Sequence, residues 1–193
     1  MDPTSSAELE LSPEERATLL EVARSSIVAG LEHDRRYAPE ASAYRPRLQE
    51  HKGCFVTLHL NGELRGCVGT LRARGPLVVE VSQAAHSAAF HDPRFPPLEE
   101  RELAKLDIHI SVLSALEPMQ FDSEPNLLAQ LRPGVDGLVL SDGGRLGTFL
   151  PAVWEKFPEA AVFFAHLRTK AGLAPDYWSD TIKVERYSTE SFS

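Results

Sequence analysis

Apolar residues recur every three or four places through Leu19, Val22, Ala23, Ile27 and Leu31. That spacing predicts a helix running to about residue 32. Ser12-Pro13-Glu14-Glu15 marks its start: a capping serine, a proline at the first helical position, and Glu15 to complete a capping box. After a loop with two prolines, CFVTLHL and ELRGCVGTL flank Asn61-Gly62. Asn-Gly between β-type runs predicts a two-residue type I′ hairpin, because both central residues must take positive φ. Leu77, Val81, Ala84, Ala85 and Ala88 form the stripe of a second helix opened by Pro76, and HDPRFPPL ends it with three prolines. EERELAKL reads as a short helix. LDIHISVLSAL reads as a strand with Leu106, Ile108, Ile110 and Val112 on one face.

Further on, EPNLLAQL predicts another short helix. PGVDGLVL and RLGTFL predict a second hairpin turning at Asp142-Gly143-Gly144. FPEAAVFFAHLRTKAGL predicts the last long helix, with Gly172 as a left-handed C-cap, and TIKVERY a terminal strand. Helices interspersed with antiparallel hairpins give an α+β class rather than a doubly wound parallel sheet. Residues 1–10 are polar and read as a frayed, disordered N-terminus. Residues 11–193 read as a single domain, with a small lobe around 133–155.

Size and charge narrow the functional classes. A chain of 193 residues, 42% hydrophobic and 25% charged, buries a real core. A net charge of -8 argues against general nucleic-acid binding, which needs a basic surface. No apolar run reaches the roughly 18 residues of a membrane span, and the first ten residues have no signal-peptide character. Two cysteines, Cys54 and Cys67, are too few for a disulfide scaffold and lack metal-motif spacing. The expected setting is the reducing cytoplasm, away from membranes.

The candidate chemistry centres on LRGCVGT. A regular two-residue hairpin sets Leu60 opposite Glu63, Leu58 opposite Arg65, Thr57 opposite Gly66 and Val56 opposite Cys67. Arg65 and Cys67 then share a face about 7 Å apart, with Gly66 and Val68 on the other. Gly66 and Gly69 weaken a strand unless a backbone or ligand approaches closely or a bulge is needed. In one reading the Arg65 cation activates the Cys67 thiol. In the other, Cys67 is a small buried hydrophobe and Arg65 pairs with a carboxylate.

GCFVTL, NGELRGCVGTL, AFHDPRFPPL, PGVDGLVL, GTFLP and KAGL occur in the order and spacing of the AMMECR1 domain family. The sequence resembles that family from about residue 10 to 187. The resemblance implies an α+β protein with a larger and a smaller lobe and a cleft between them, and it names no activity. It also implies a pathway shared with a Memo-like protein and a radical SAM protein, the AmmeMemoRadiSam system in which this chain would be protein A. One departure is Ala152 after GTFLP, where the family often has an amide.

The remaining candidates are weighed on their residue types. Asp92 and Arg94 lie in a turn-forming loop; either Arg94 contacts an anion or the two form a local ion pair. Thr148 beside Gly147 is a ligand contact or a packed strand residue. Seven histidines are scattered, with His86 and His91 five apart and His59 and His109 both in strands; no HExxH or CxxC pair appears, so no metal or cofactor is assigned. The aromatic set of Trp154, Phe157, Phe163, Phe164 and Trp178 reads as core. Two hypotheses follow. One is a ligand-binding or enzymatic component, with Cys67 as nucleophile or ligand contact, Arg65 and Arg94 orienting an anionic group, and Gly66, Gly69, Thr70 and Asp92 around them. The other is an adaptor that docks a Memo-like or radical SAM partner.

Overall fold

A computed structural model describes residues 10–193; all but one of the ten residues expected to be frayed lie outside that range. The chain divides into two compact units. One runs to Leu113 and takes back Glu190–Ser193; the other is Ser114–Thr189, which contains the hairpin expected around 133–155.

In the first unit, helix α1 (Pro13–His33) starts with the expected capping box. Ser12 Oγ accepts the Glu15 amide at 3.2 Å and the Glu15 carboxylate accepts the Ser12 amide at 2.8 Å. Leu19, Val22, Ala23 and Ile27 form its buried stripe. Strands β1 (Cys54–Leu60) and β2 (Glu63–Thr70) make the first hairpin. Asn61 at φ 53° and Gly62 at φ 84° take the positive angles the turn requires. Gly62→Ala is expected to lower stability by about 1 kcal/mol through left-handed strain alone, visible as a lower thermal midpoint; no added Cβ contact lies within 4 Å to contribute.

Helix α2 (Leu77–Phe90) and strand β3 (Leu106–Leu113) follow, and β8 (Thr189–Phe192) completes a sheet ordered β2-β1-β3-β8. One face of the sheet presents Cys54, Val56, Leu58, Ile108, Ile110 and Val112 to a core shared with α1 and α2. Phe55, Thr57, His59, Asp107, His109 and Ser111 occupy the opposite face, as the two-residue side-chain period demands. Burial pushes the Cys54 thiol far up, so this cysteine is a core residue. The stretch EERELAKL forms a 3-10 turn (Glu100–Lys105) rather than an α-helix. Its capping box closes over Glu102, and β3 begins at Leu106, directly after Lys105, leaving little length for an α-helical ladder.

In the second unit, β4 (Glu117–Pro118), β5 (Gly137–Asp142), β6 (Arg145–Phe149) and β7 (Lys183–Tyr187) form a sheet ordered β4-β7-β5-β6. Helices α3 (Glu124–Gln130) and α4 (Ala160–Lys170) belong to this unit. The β5–β6 turn is Gly143-Gly144, at φ 53° and 83°, with Asp142 still in the strand. Gly172 takes φ 77° after α4, as a C-cap should. Trp154 stacks on Phe163 at 3.8 Å between centroids, donates its indole N–H to the Asp136 carbonyl at 2.7 Å, and lies in the core. Among the described residues, no helix is long and apolar enough to cross a membrane.

Candidate functional site

The first hairpin is not regular. Leu60 pairs with Glu63 and His59 with Leu64, as a two-residue turn dictates. The register then slips: Leu58 pairs with Gly66, Thr57 with Cys67 and Val56 with Val68. Arg65 is the extra residue of a β-bulge, so the expected pairs Leu58–Arg65, Thr57–Gly66 and Val56–Cys67 are corrected by one place. The consequence for Cys67 is large. Opposite Val56 it would face the core; the bulge re-aims it to the other face, opposite Thr57. There its sulfur is half-buried and accepts a hydrogen bond from Thr57 Oγ1 at 3.2 Å.

β2 is an edge strand, and the peptide of Cys67 faces outward. The loop after α2 covers it. Asp92 Oδ2 accepts the Cys67 amide at 2.9 Å, and Arg94 Nη2 donates to the Cys67 carbonyl at 3.2 Å. Asp92 and Arg94 are bonded to each other through Nε at 2.9 Å and Nη2 at 2.6 Å. The pair thus clamps both polar groups of one edge peptide. Hydrogen bonding from Arg94 holds the Asp92 carboxyl well below the usual range, reinforced by the Cys67 and Arg94 amides and by the Arg94 charge. Arg94 is raised in turn, first by its hydrogen bond to Asp92, then by that carboxylate's charge and by the Cys67 side chain. The Asp92 side chain is 3% exposed while that of Arg94 is 53% exposed, so the guanidinium keeps a solvent-facing side.

Arg65, expected beside the thiol, turns elsewhere. It is buried, and Nε and Nη2 donate to the two Glu102 oxygens at 2.8 and 3.0 Å, with a third bond to the Pro97 carbonyl at 3.3 Å. This fork-to-carboxylate pair ties the bulge to the 97–102 segment, and it holds the Glu102 carboxyl low. The arginine that neighbours Cys67 is therefore Arg94, supplied by the loop, and Arg65 is a structural anchor. The alternative that paired Arg65 with a carboxylate describes it correctly.

The other expected site residues separate. A Cβ on Gly66 would lie 2.1 Å from the Ala88 carbonyl oxygen, so the close approach at that glycine is made by α2. A Cβ on Gly69 would lie 2.1 Å from the Cys54 carbonyl oxygen and 2.6 Å from Phe55 Cα, so β1 fills that space. Thr70 pairs with Cys54 and lies on the core side of the strand, away from Cys67. It lines a polar hollow of about 240 Å³ with Gly69, Arg74, Glu80, Gln83 and Ser87. Thr148 is in the second unit, where its hydroxyl bonds the Leu138 carbonyl and the Tyr187 hydroxyl, both at 2.8 Å.

Two features were not singled out from sequence. Thr57 is the direct partner of the Cys67 sulfur, and Glu102 is the partner of Arg65. Only the bulged register reveals the first; no local signal reveals the second. The strand histidines do converge: His59 and His109 meet edge to face at 4.9 Å, on the same sheet face as Cys67. Among the described residues, no three His, Cys, Asp or Glu side chains group so as to hold a metal ion.

Comparison with known proteins adds the relatives. Residues 20–192 match the family model AMMECR1. A protein from Methanothermobacter thermautotrophicus is 36% identical over 187 residues, covering 94% of this chain and 95% of that one. A protein from Methanopyrus kandleri is 36% identical over 176 residues, covering 87% and 82%. The crystal structure of an uncharacterized protein from Pyrococcus horikoshii superposes with a TM-score of 0.82 at 32% identity, covering 90% of this chain and 88% of that one.

Proposed function

The chain belongs to the AMMECR1 family, and on that footing we propose that it is the ligand-binding component of a modification pathway shared with a Memo-like protein and a radical SAM protein. Its site is the sheet face that carries Cys67. The observation behind this reading is the convergence of three functions on one residue. The sulfur receives the Thr57 hydroxyl, the peptide is held by Asp92 and Arg94, and the Arg94 guanidinium stays half open beside it. A hydrogen-bonded sulfur next to a charged planar donor suits a ligand that brings an anionic group to the guanidinium and an electrophilic or polar atom to the sulfur. The Asp92 carboxylate keeps Arg94 aimed, because two of its donors are already committed there.

Paired alkylating reagents test this. Iodoacetate carries a carboxylate and iodoacetamide does not. Cys67 is expected to prefer iodoacetate relative to a free thiol, and Arg94→Ala to remove about tenfold of that preference, the worth of one charge-assisted hydrogen bond. Cys67→Ser is expected to abolish the fast labelling while leaving the thermal midpoint close to that of the parent chain. A thiol indifferent to the reagent's charge sinks the proposal. The second reading, an adaptor docking the same partners, draws on Leu64, which is 41% exposed on the edge strand next to the bulge. It predicts an inert thiol together with co-purification of a Memo-like or radical SAM partner that Leu64→Glu disrupts.

A further inference from the structure

α1 and the segment that follows it border an open hollow of about 670 Å³, within the size range of small-molecule sites. Its helical wall is the stripe Glu21, Arg24, Val28 and Glu32; its other wall is the returning segment with Arg35, Arg36 and Tyr37. The turn between the walls is set by Asp34, at φ 51°. The returning segment is tied down where it matters. Ser82 Oγ donates to the Tyr37 carbonyl, the Tyr37 and Tyr44 hydroxyls share a hydrogen bond at 3.3 Å, and Pro39 is buried.

Three arginines line this hollow. Acidic residues outnumber basic ones, 28 to 20, so arginines have carboxylates to spare. Arg16, Arg65, Arg94, Arg101, Arg132, Arg168 and Arg186 each take one. Arg24, Arg35 and Arg36 form no ion pair among the described residues, although they face the same space. Two carboxylates, Glu21 and Glu32, line the same space, so the three arginines leave an excess of one positive charge there. Glu32 lies 3.6 Å from His33. Along the helix Glu21 and Glu32 stand about 16 Å apart at 1.5 Å per residue, with Arg24 between them.

We propose that this hollow binds a small phosphorylated molecule, with Arg24, Arg35 and Arg36 taking the phosphate and the Tyr37 ring and Val28 flanking the rest. Planar guanidinium forks match phosphate oxygens two at a time, and several forks on one hollow select a multiply charged oxyanion over a simple carboxylate. A long polyanion fits badly. The chain carries a net charge of -8, and a nucleic-acid track needs a basic surface.

Isothermal titration of the full chain in phosphate-free, low-salt buffer tests the site, with AMP as probe, adenosine as the uncharged control and inorganic phosphate as competitor. AMP is expected to bind, adenosine not to, and inorganic phosphate to displace AMP. The double variant Arg35→Ala/Arg36→Ala is expected to weaken AMP at least about tenfold with an unchanged melting temperature, since both side chains are exposed. If that variant melts early, the pair Arg35→Lys/Arg36→Lys keeps the charge but loses the forks, and it too is expected to weaken AMP. The proposal is overturned if AMP gives no heat up to about 10 mM, if adenosine binds as well as AMP, or if folded arginine variants bind AMP like the parent chain.

Discussion

Gly66→Ala destabilises the first unit by about 3 kcal/mol, the upper end of the cost of forcing one extra methyl into a packed interior. The added Cβ meets the Ala88 carbonyl oxygen at 2.1 Å and its carbon at 3.0 Å. Both are backbone atoms in the last turn of α2, and neither can rotate away as a side chain would. α2 would have to lift from β2, and Ala84, Ala85 and Ala88 on its buried face would lose their contacts with the sheet. Urea unfolding should show the midpoint falling with little change in slope. A variant as stable as the parent chain would mean that α2 does not approach β2 at this residue.

Removing the carboxylate that clamps the Cys67 peptide should cost nearly as much. Asp92→Ala is expected to lose about 2 kcal/mol at about pH 7, because the Cys67 amide loses its acceptor and the Arg94 fork its partner. The loss depends on pH in a defined direction. The folded state holds the Asp92 carboxyl below its ordinary 3.8. Its contribution is therefore complete above that value and disappears as the pH falls through it toward the folded one. Parent and variant should differ fully at neutral pH and converge below about pH 4. Glu102 is also held low, so the variant keeps a part of the acid sensitivity. A stability gap that stays constant down to about pH 2 would show that Asp92 does not act through its charge.

Most elements were legible in the chain because their causes are local. Ser12 with Glu15 states the start of α1, Asn61-Gly62 states the first turn, and Ile108, Ile110 and Val112 state the inward face of β3. The candidate site was legible only in its members. Cys67, Asp92 and Arg94 were all named, yet the way they meet depends on where one residue is inserted in a strand. Nothing local decides that Arg65 is the inserted residue. Its guanidinium is drawn to Glu102, which is 37 positions away in sequence, and the following glycine is pinned against α2. Arg65 was therefore expected beside the thiol, where the structure places Arg94. Gly66 and Gly69 signalled a close approach correctly, but the approaching atoms are the chain's own backbone. The short strands β4 and β8 were missed because two and four residues carry too little alternation to distinguish them from loop.

The first sheet has a consequence in time as well as in space. Its strands β1, β2 and β3 leave the ribosome early, while β8, which pairs with β3, follows only after most of Ser114–Thr189. At ~5–20 residues per second that delay is roughly 4 to 15 s. Throughout it, β3 presents an unmatched row of amides and carbonyls to other chains, a sister nascent chain among them. Glu190, which accepts both the Leu11 amide and the Arg16 guanidinium, arrives equally late. Translation speed through the intervening stretch, and any holdase that shelters β3 meanwhile, should therefore govern the yield of correctly closed protein.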